Sequence, residues 1–201
     1  MNIAILFVDR KEPKTNGQDW VGRDSNDDAE SVIKSLNELG HNVIPYNVDL
    51  DLYEKLRNDK KNIDLIFNVC DDGFFTETEL EPHLTTLLDI LKIPYTGSNY
   101  LCLAMTMNKA LVKKLLTYHN LPTPNFQLFE TGEEVLNENL KFPMIIKPVR
   151  EDGSIGIRDC SVVNDKEKLM KRIELIIKRY KQPALVEEFI DGREFNVGVI
   201  G

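Results

Sequence analysis

The sequence predicts an α/β protein: an open, mostly parallel α/β sheet over residues 1–98, followed by an α+β unit. Two observations carry this. Short apolar runs alternate with stretches of helical periodicity in the first half, the pattern of strands joined by parallel crossovers. Beyond the connector Asn120–Pro124 (NLPTP), strands come close together in sequence around a single long helix.

The elements follow in order. Ile3–Val8 (IAILFV) is a buried strand, and Asp9–Asp27, polar with Pro13 and Gly17, is a long loop of the kind that serves as a lid or stays disordered. Asp28–Leu39 sets Ala29, Val32, Ile33, Leu36 and Leu39 at helical spacing, and Gly40 stops it. His41–Tyr46 is a strand, Asp51–Leu56 a short helix, and Asp64–Asn68 (DLIFN) a third strand. Glu79–Lys92 is a helix with Leu80, Leu84, Leu87, Leu88 and Leu91 on one face, broken by Ile93–Ser98 (IPYTGS). Helices follow at Asn99–Met105 and Asn108–His119, the second packing through Ala110, Leu111, Leu115 and Tyr118. The second half reads strand Phe126–Phe129, helix Glu133–Asn137, strand Pro143–Lys147 and strand Cys160–Val163. A long helix over Lys166–Tyr180 and strands at Ala184–Phe189 and Phe195–Ile200 complete it, with the boundary between the two parts around residues 96–105.

Composition narrows the function. With 42% hydrophobic and 29% charged residues in 201, the chain supports a core and a water-facing surface. A net charge of -8 argues against a general nucleic-acid binder, and leaves any anionic ligand dependent on local lysines and magnesium. No apolar run approaches a membrane span, and Met1 leads straight into a strand, so a cytoplasmic protein is expected. Cys70, Cys102 and Cys160 lack metal spacing and are expected to stay reduced. His41, His83 and His119 have no partner spacing, and Trp20 falls in the unassigned loop.

Three segments carry chemistry. Phe142–Gly156 (FPMIIKPVREDGSIG) delivers Lys147 from an apolar strand into a glycine-containing loop, which suits a rigid cation beside a flexible backbone cover for a polyphosphate. Taken alone, the segment equally fits a buried strand ending in a surface turn. Lys109 opens a helix, where a positive side chain is disfavoured unless an anion lies beside it; a merely solvated lysine is the alternative. In Ala184–Glu194 (ALVEEFIDGRE), Glu187 and Glu188 end an apolar strand and face opposite ways, so one can reach a cleft. Arg150 either assists or pairs with Glu151.

In order along the chain, LLDILKIPYTGSNYLCLAMTMNK, LPTPNF, FPMIIKPVREDGSIGI and ALVEEFIDGREFNVGVIG resemble the ATP-grasp superfamily, in its D-alanine–D-alanine ligase branch, from about Phe67 to Gly201. The resemblance implies a pre-ATP-grasp, Rossmann-like domain at 1–98, a central grasp subdomain at 99–186 and the start of a further subdomain at 187–201. It implies ATP with magnesium, and formation of an amide or peptide bond through an acylphosphate. Lys109 and Lys147 match the phosphate-contacting lysines. Glu151, Gly153, Ser154 and Gly156 fall in the loop over the β- and γ-phosphates. Glu187, Glu188 and Ile190 match the adenine-holding strand and linker, and Glu194 the acid on the ribose hydroxyls. Partners implied are ATP and small carboxylate and amine substrates, with a homodimer possible.

The chain departs from that family in places. Gly153 stands where the ligases have a substrate-orienting serine, and Glu30 is the nearest counterpart to the glutamate that grips the first D-alanine. NVCDDGFFTETELEP replaces the histidine-glycine and Glu-Asp-Gly pattern, making Asn68, Asp71, Asp72, Glu79 and Glu81 the candidates that read another substrate. The family's magnesium ligands match positions past Gly201, so the chain is expected to be a fragment without a metal site of its own and inactive in ligation alone. Other ATP-grasp chemistry, a carboxylase or a glutathione-synthetase-like enzyme, shares the same lysines. A non-catalytic nucleotide-binding or protein-interaction module is the alternative from another class.

Overall fold

The computed structural model describes residues 1–9, 25–71 and 73–199. Two compact units form, Met1–Asn108 with Arg150–Ile155, and Lys109–Val149 with Gly156–Gly201. Trp20, Asp72 and most of the expected loop at 9–27 lie outside the described residues.

In the first unit, strands β1 (Asn2–Phe7), β2 (Asn42–Asn47) and β3 (Leu65–Asn68) form a parallel sheet in the order β2-β1-β3. The near-continuous apolar run of β1 follows from its central place, since both faces are covered. Ile3 and Ile5 pack against Ala29, Val32 and Ile33 of helix α1 (Ser25–Glu38). Ala4 and Leu6 point the other way, onto Leu52 and Leu56 of α2 (Leu52–Asp59) and Leu84 and Leu88 of α3 (Glu81–Leu91). Pro45 sits within β2 without breaking the sheet because β2 is an edge strand, where a missing N–H is tolerated. Tyr95 extends the sheet by a single parallel bridge to Ile66. Helix α4 (Tyr100–Thr106) is capped by the Asn99 side chain, which accepts from the Cys102 N–H at 3.0 Å.

The second unit holds an antiparallel sheet in the order β4-β7-β5-β6, from β4 (Phe126–Phe129), β5 (Met144–Pro148), β6 (Val162–Val163) and β7 (Ala184–Glu188). Helix α6 (Lys166–Tyr180) covers one face: Leu169, Ile173 and Ile176 pack on Phe129, Met144, Ile146, Ala184 and Val186. Helix α5 (Lys109–Tyr118) covers the other through Ala110, against Val149 and Leu185. The mixed α/β class and the two kinds of sheet are as the sequence predicts.

Four local expectations are corrected. The helix expected at Glu133–Asn137 is absent, because side chains take its backbone groups. Gln127 Nε2 donates to the Val135 carbonyl (2.9 Å), and Gln127 Oε1 accepts from the Asn137 N–H (2.7 Å). The Glu134 carboxylate accepts from the N–H groups of Glu130, Thr131 and Gly132. The strand expected at Cys160–Val163 starts only at Val162, since Asp159–Ser161 forms a 3-10 turn. The strand expected at Phe195–Ile200 is not formed among the described residues: Phe195, Val197 and Val199 are exposed, and both ladders of β7 are occupied by β4 and β5. Finally, α5 does not bury the apolar set expected of it. Leu111 and Tyr118 are exposed, whereas Ala110 and Lys113 are buried.

Candidate functional site

The buried Lys113 marks the chemistry of the second unit. On the α5 side of the sheet, Lys147 of β5 and Glu187 of β7 are close in the antiparallel register, with Ile145 opposite Glu187 and Lys147 opposite Leu185. Alternation along each strand turns these two polar side chains to the face that α6 does not cover. Lys147 Nζ lies 3.5 Å from Glu187 Oε1, and Lys113 Nζ lies 3.4 Å from Glu187 Oε2. Lys113 also donates to Thr123 Oγ1 at 2.8 Å and sits 5.2 Å over the Phe126 ring. Burial pushes the Lys113 ammonium below its ordinary range; Glu187 opposes that shift and Lys147 adds to it. Two ammonium groups against one carboxylate leave a net positive charge of one, and the more accessible cation is Lys147, whose side chain is 24% exposed against 8% for Lys113.

Lys109 opens α5, as the sequence predicts, and its N–H donates to the Val149 carbonyl at 3.0 Å, tying the helix start to the residue that follows β5. One helical turn separates Lys109 from Lys113, so both lie along one face of α5. Past β5 the chain turns through positive φ at Gly153 (49°), Ser154 (64°) and Gly156 (76°). Open space surrounds a Cβ built on Gly153, but one on Gly156 would lie 2.5 Å from Pro148 Cγ. Gly156 therefore locks the end of the loop against β5, and Arg172 Nη2 holds the same end by donating to the Gly156 carbonyl (2.6 Å) and to Ser161 Oγ (2.9 Å).

The other residues expected at the nucleotide site lie at the end of β7 and beyond it. Glu188 turns away from Glu187, as strand alternation requires, and accepts from the Lys141 N–H and Asn125 Nδ2, both at 2.9 Å. Ile190 and Glu194 are exposed. Lys113 was missed by the sequence reading because a lysine between apolar helix positions looks solvated. The available signal was its i,i+4 spacing from Lys109 on a helix whose apolar stripe is weak.

The first unit carries a cleft of ≈ 480 Å³ where β3 ends, lined by Asp28, Ser31, Asn68, Asp71, Glu81 and Thr96 among others. This is the carboxyl end of a parallel sheet, where α/β folds open their crevices. Burial, reinforced by Asp152 and Asp71, pushes the Glu81 carboxyl up to about 7. Of the residues expected to read a substrate, Asn68, Asp71 and Glu81 thus line one cleft, whereas Glu30 is exposed. Glu79 pairs with Arg150 at 3.3 Å. Among the described residues no group of three or more His, Cys, Asp or Glu side chains is placed to hold a metal ion, and no helix is long and apolar enough to cross a membrane.

The second unit thus carries a lysine and a glutamate on adjacent strands of an antiparallel sheet backed by one long helix. Known proteins share this fold. The family model for the D-ala D-ala ligase C-terminus matches residues 115–201. An uncharacterized protein, y4sG, of Sinorhizobium fredii is 33% identical over 179 residues, spanning 86% of this chain and 52% of that protein. A D-alanine–D-alanine ligase of Carboxydothermus hydrogenoformans is 35% identical over 182 residues, spanning 86% of this chain and 55% of the ligase. The crystal structure of D-alanine–D-alanine ligase from Bacillus anthracis superposes with a TM-score of 0.70 over 96% of this chain and 58% of that one, at 24% identity. These similarities support an ATP-grasp, D-alanine–D-alanine ligase-like protein. The chain spans about half the length of the curated relatives it matches.

Proposed function

We propose that this chain supplies the nucleotide-binding part of an ATP-dependent carboxylate–amine ligase, which forms an amide or peptide bond through an acylphosphate. The single observation that carries the reading is the Lys113–Glu187–Lys147 cluster. Glu187 Oε1 and Lys147 Nζ set an acceptor beside a donor, which is the complement of an adenine edge bearing an N6–H donor and an N7 acceptor. The surplus positive charge favours the polyphosphate that an adenine nucleotide carries.

In this reading Lys147 serves the base-proximal end of the nucleotide and its first phosphates, and Lys109 serves the phosphates further along. Backbone N–H groups of the loop with Glu151, Gly153, Ser154 and Gly156 cover the β- and γ-phosphates and keep water from an acylphosphate. Glu187, with backbone atoms of Glu188 and Ile190, holds the adenine, and Glu194 accepts from the ribose hydroxyls. The divisions at 1–98, 99–186 and 187–201 are the corresponding domains. Magnesium would accompany the phosphates and offset charge on the transferring group, while the described residues offer no ligand set for it. The cleft with Asn68, Asp71 and Glu81 is the candidate seat of the amine-bearing substrate, since the Asp71 carboxylate there suits a cationic group.

Calorimetric titration of the chain with magnesium-ATP tests this. Lys147→Ala is expected to weaken binding by about 2–3 kcal/mol, the scale of a lost charge-assisted contact. An unchanged affinity would remove Lys147 from the site.

A further inference from the structure

Lys113 is buried at 6% exposure, and a buried ammonium is strongly unfavourable unless paired and hydrogen-bonded. Charge balance does not account for its place, because Lys147 already neutralises Glu187 through Oε1. What Lys113 adds is direction. Its Nζ is held by Thr123 Oγ1 at 2.8 Å and by the face of Phe126, and from that fixed position it engages Glu187 Oε2 at 3.4 Å. One oxygen of the carboxylate is thereby taken up from the helix side. The other is left turned to Lys147, the more exposed of the two lysines.

We infer that Lys113 is a positioning residue that orients Glu187 so that its Oε1, with Lys147 Nζ, selects adenine over a 6-oxopurine. This rests on the ATP reading above. A 6-oxopurine presents an acceptor oxygen where adenine presents an amino group, so a carboxylate fixed in this direction repels it. A carboxylate free to rotate away does not. Lys113 acts only through Glu187 and touches no phosphate.

The test compares binding of magnesium-ATP and magnesium-ITP to the chain, to Lys113→Met and to Lys113→Arg, with circular dichroism confirming that each is folded. The parent is expected to prefer ATP by about tenfold or more, the scale set when a polar group is left mispaired. Lys113→Met should bring the two affinities within about threefold, and Lys113→Arg should keep more of the preference than Lys113→Met, because it retains the charge and donors in a larger, planar head. A general loosening of the fold would weaken both nucleotides alike and leave their ratio unmoved. Should Lys113→Met fail to fold, Thr123→Val releases the Nζ anchor with less disturbance and is expected to reduce the ratio in the same direction. A parent that binds neither nucleotide overturns the ATP reading and this inference with it. A parent that prefers ATP, with the preference intact in the folded variants, overturns the role of Lys113 alone.

Discussion

Glu81→Gln isolates the electrostatics of the cleft in the first unit. Glu81 is the first residue of α3, where a carboxylate would ordinarily gain from the helix dipole. Burial and the neighbouring Asp152 and Asp71 outweigh that gain and raise its pKa from 4.5 to about 7. Because the folded value lies above the unfolded one, the folded chain binds the extra proton. The stability this contributes is whole below pH 4.5 and is lost as pH rises through 7. Over that interval ~1.4 kcal/mol per pH unit gives an upper bound of about 3.5 kcal/mol, and partial solvent access brings the expected figure to about 1–2 kcal/mol. Glutamine mimics the neutral acid at every pH. The variant should therefore exceed the parent in stability by about 1–2 kcal/mol at pH 8 and by only a few tenths at pH 5. Urea unfolding followed by circular dichroism at both values measures the difference. A gap that stays constant with pH, or a variant less stable at pH 8, would refute the argument that Glu81 is held in its neutral form.

Two further predictions concern stability. Gly156→Ala forces a Cβ to within 2.5 Å of Pro148 Cγ and 3.1 Å of Tyr180 Cζ at a φ of 76°, so thermal unfolding should show a loss of at least about 1–2 kcal/mol. Gly153→Ala meets open space and differs only by its φ of 49°, so it should lose less; equal losses would contradict the close approach at Gly156. At Glu134, burial works against the carboxylate, but the N–H groups of Thr131, Glu130 and Gly132 prevail and draw the pKa down to about 2. The folded value is depressed, so its contribution is present above pH 4.5 and fades as pH falls towards 2. Glu134→Gln should cost about 1 kcal/mol at pH 7 and progressively less below pH 4, read from denaturant curves at the two values.

Much of the molecule was legible in one dimension. The period of Lys166–Tyr180 marks α6 at both ends, and its caps are local: Asp165 accepts from the Lys168 N–H at 2.8 Å. The apolar run of β1 declares a strand buried on both faces. Lys147 and Glu187 were visible because each interrupts an apolar strand with a charge, which has to find a partner or a cleft.

What the sequence determined by itself was therefore whatever depends on neighbours a few residues away: periodicity, caps, turns and the charges set into strands. The tertiary structure decided the rest through groups distant in sequence. Gln127 claims the Val135 carbonyl and the Asn137 N–H within the segment Glu133–Asn137, where the periodicity predicts a helix. Phe195–Val199 finds no ladder among the described residues, and a strand exists only with a partner. Lys113 became a buried anchor rather than a solvated lysine only because folding brought Glu187, 74 residues away, within reach of it. A charge's burial is set by what packs around it, and that is a property of the assembled sheet and helix, not of the helix alone.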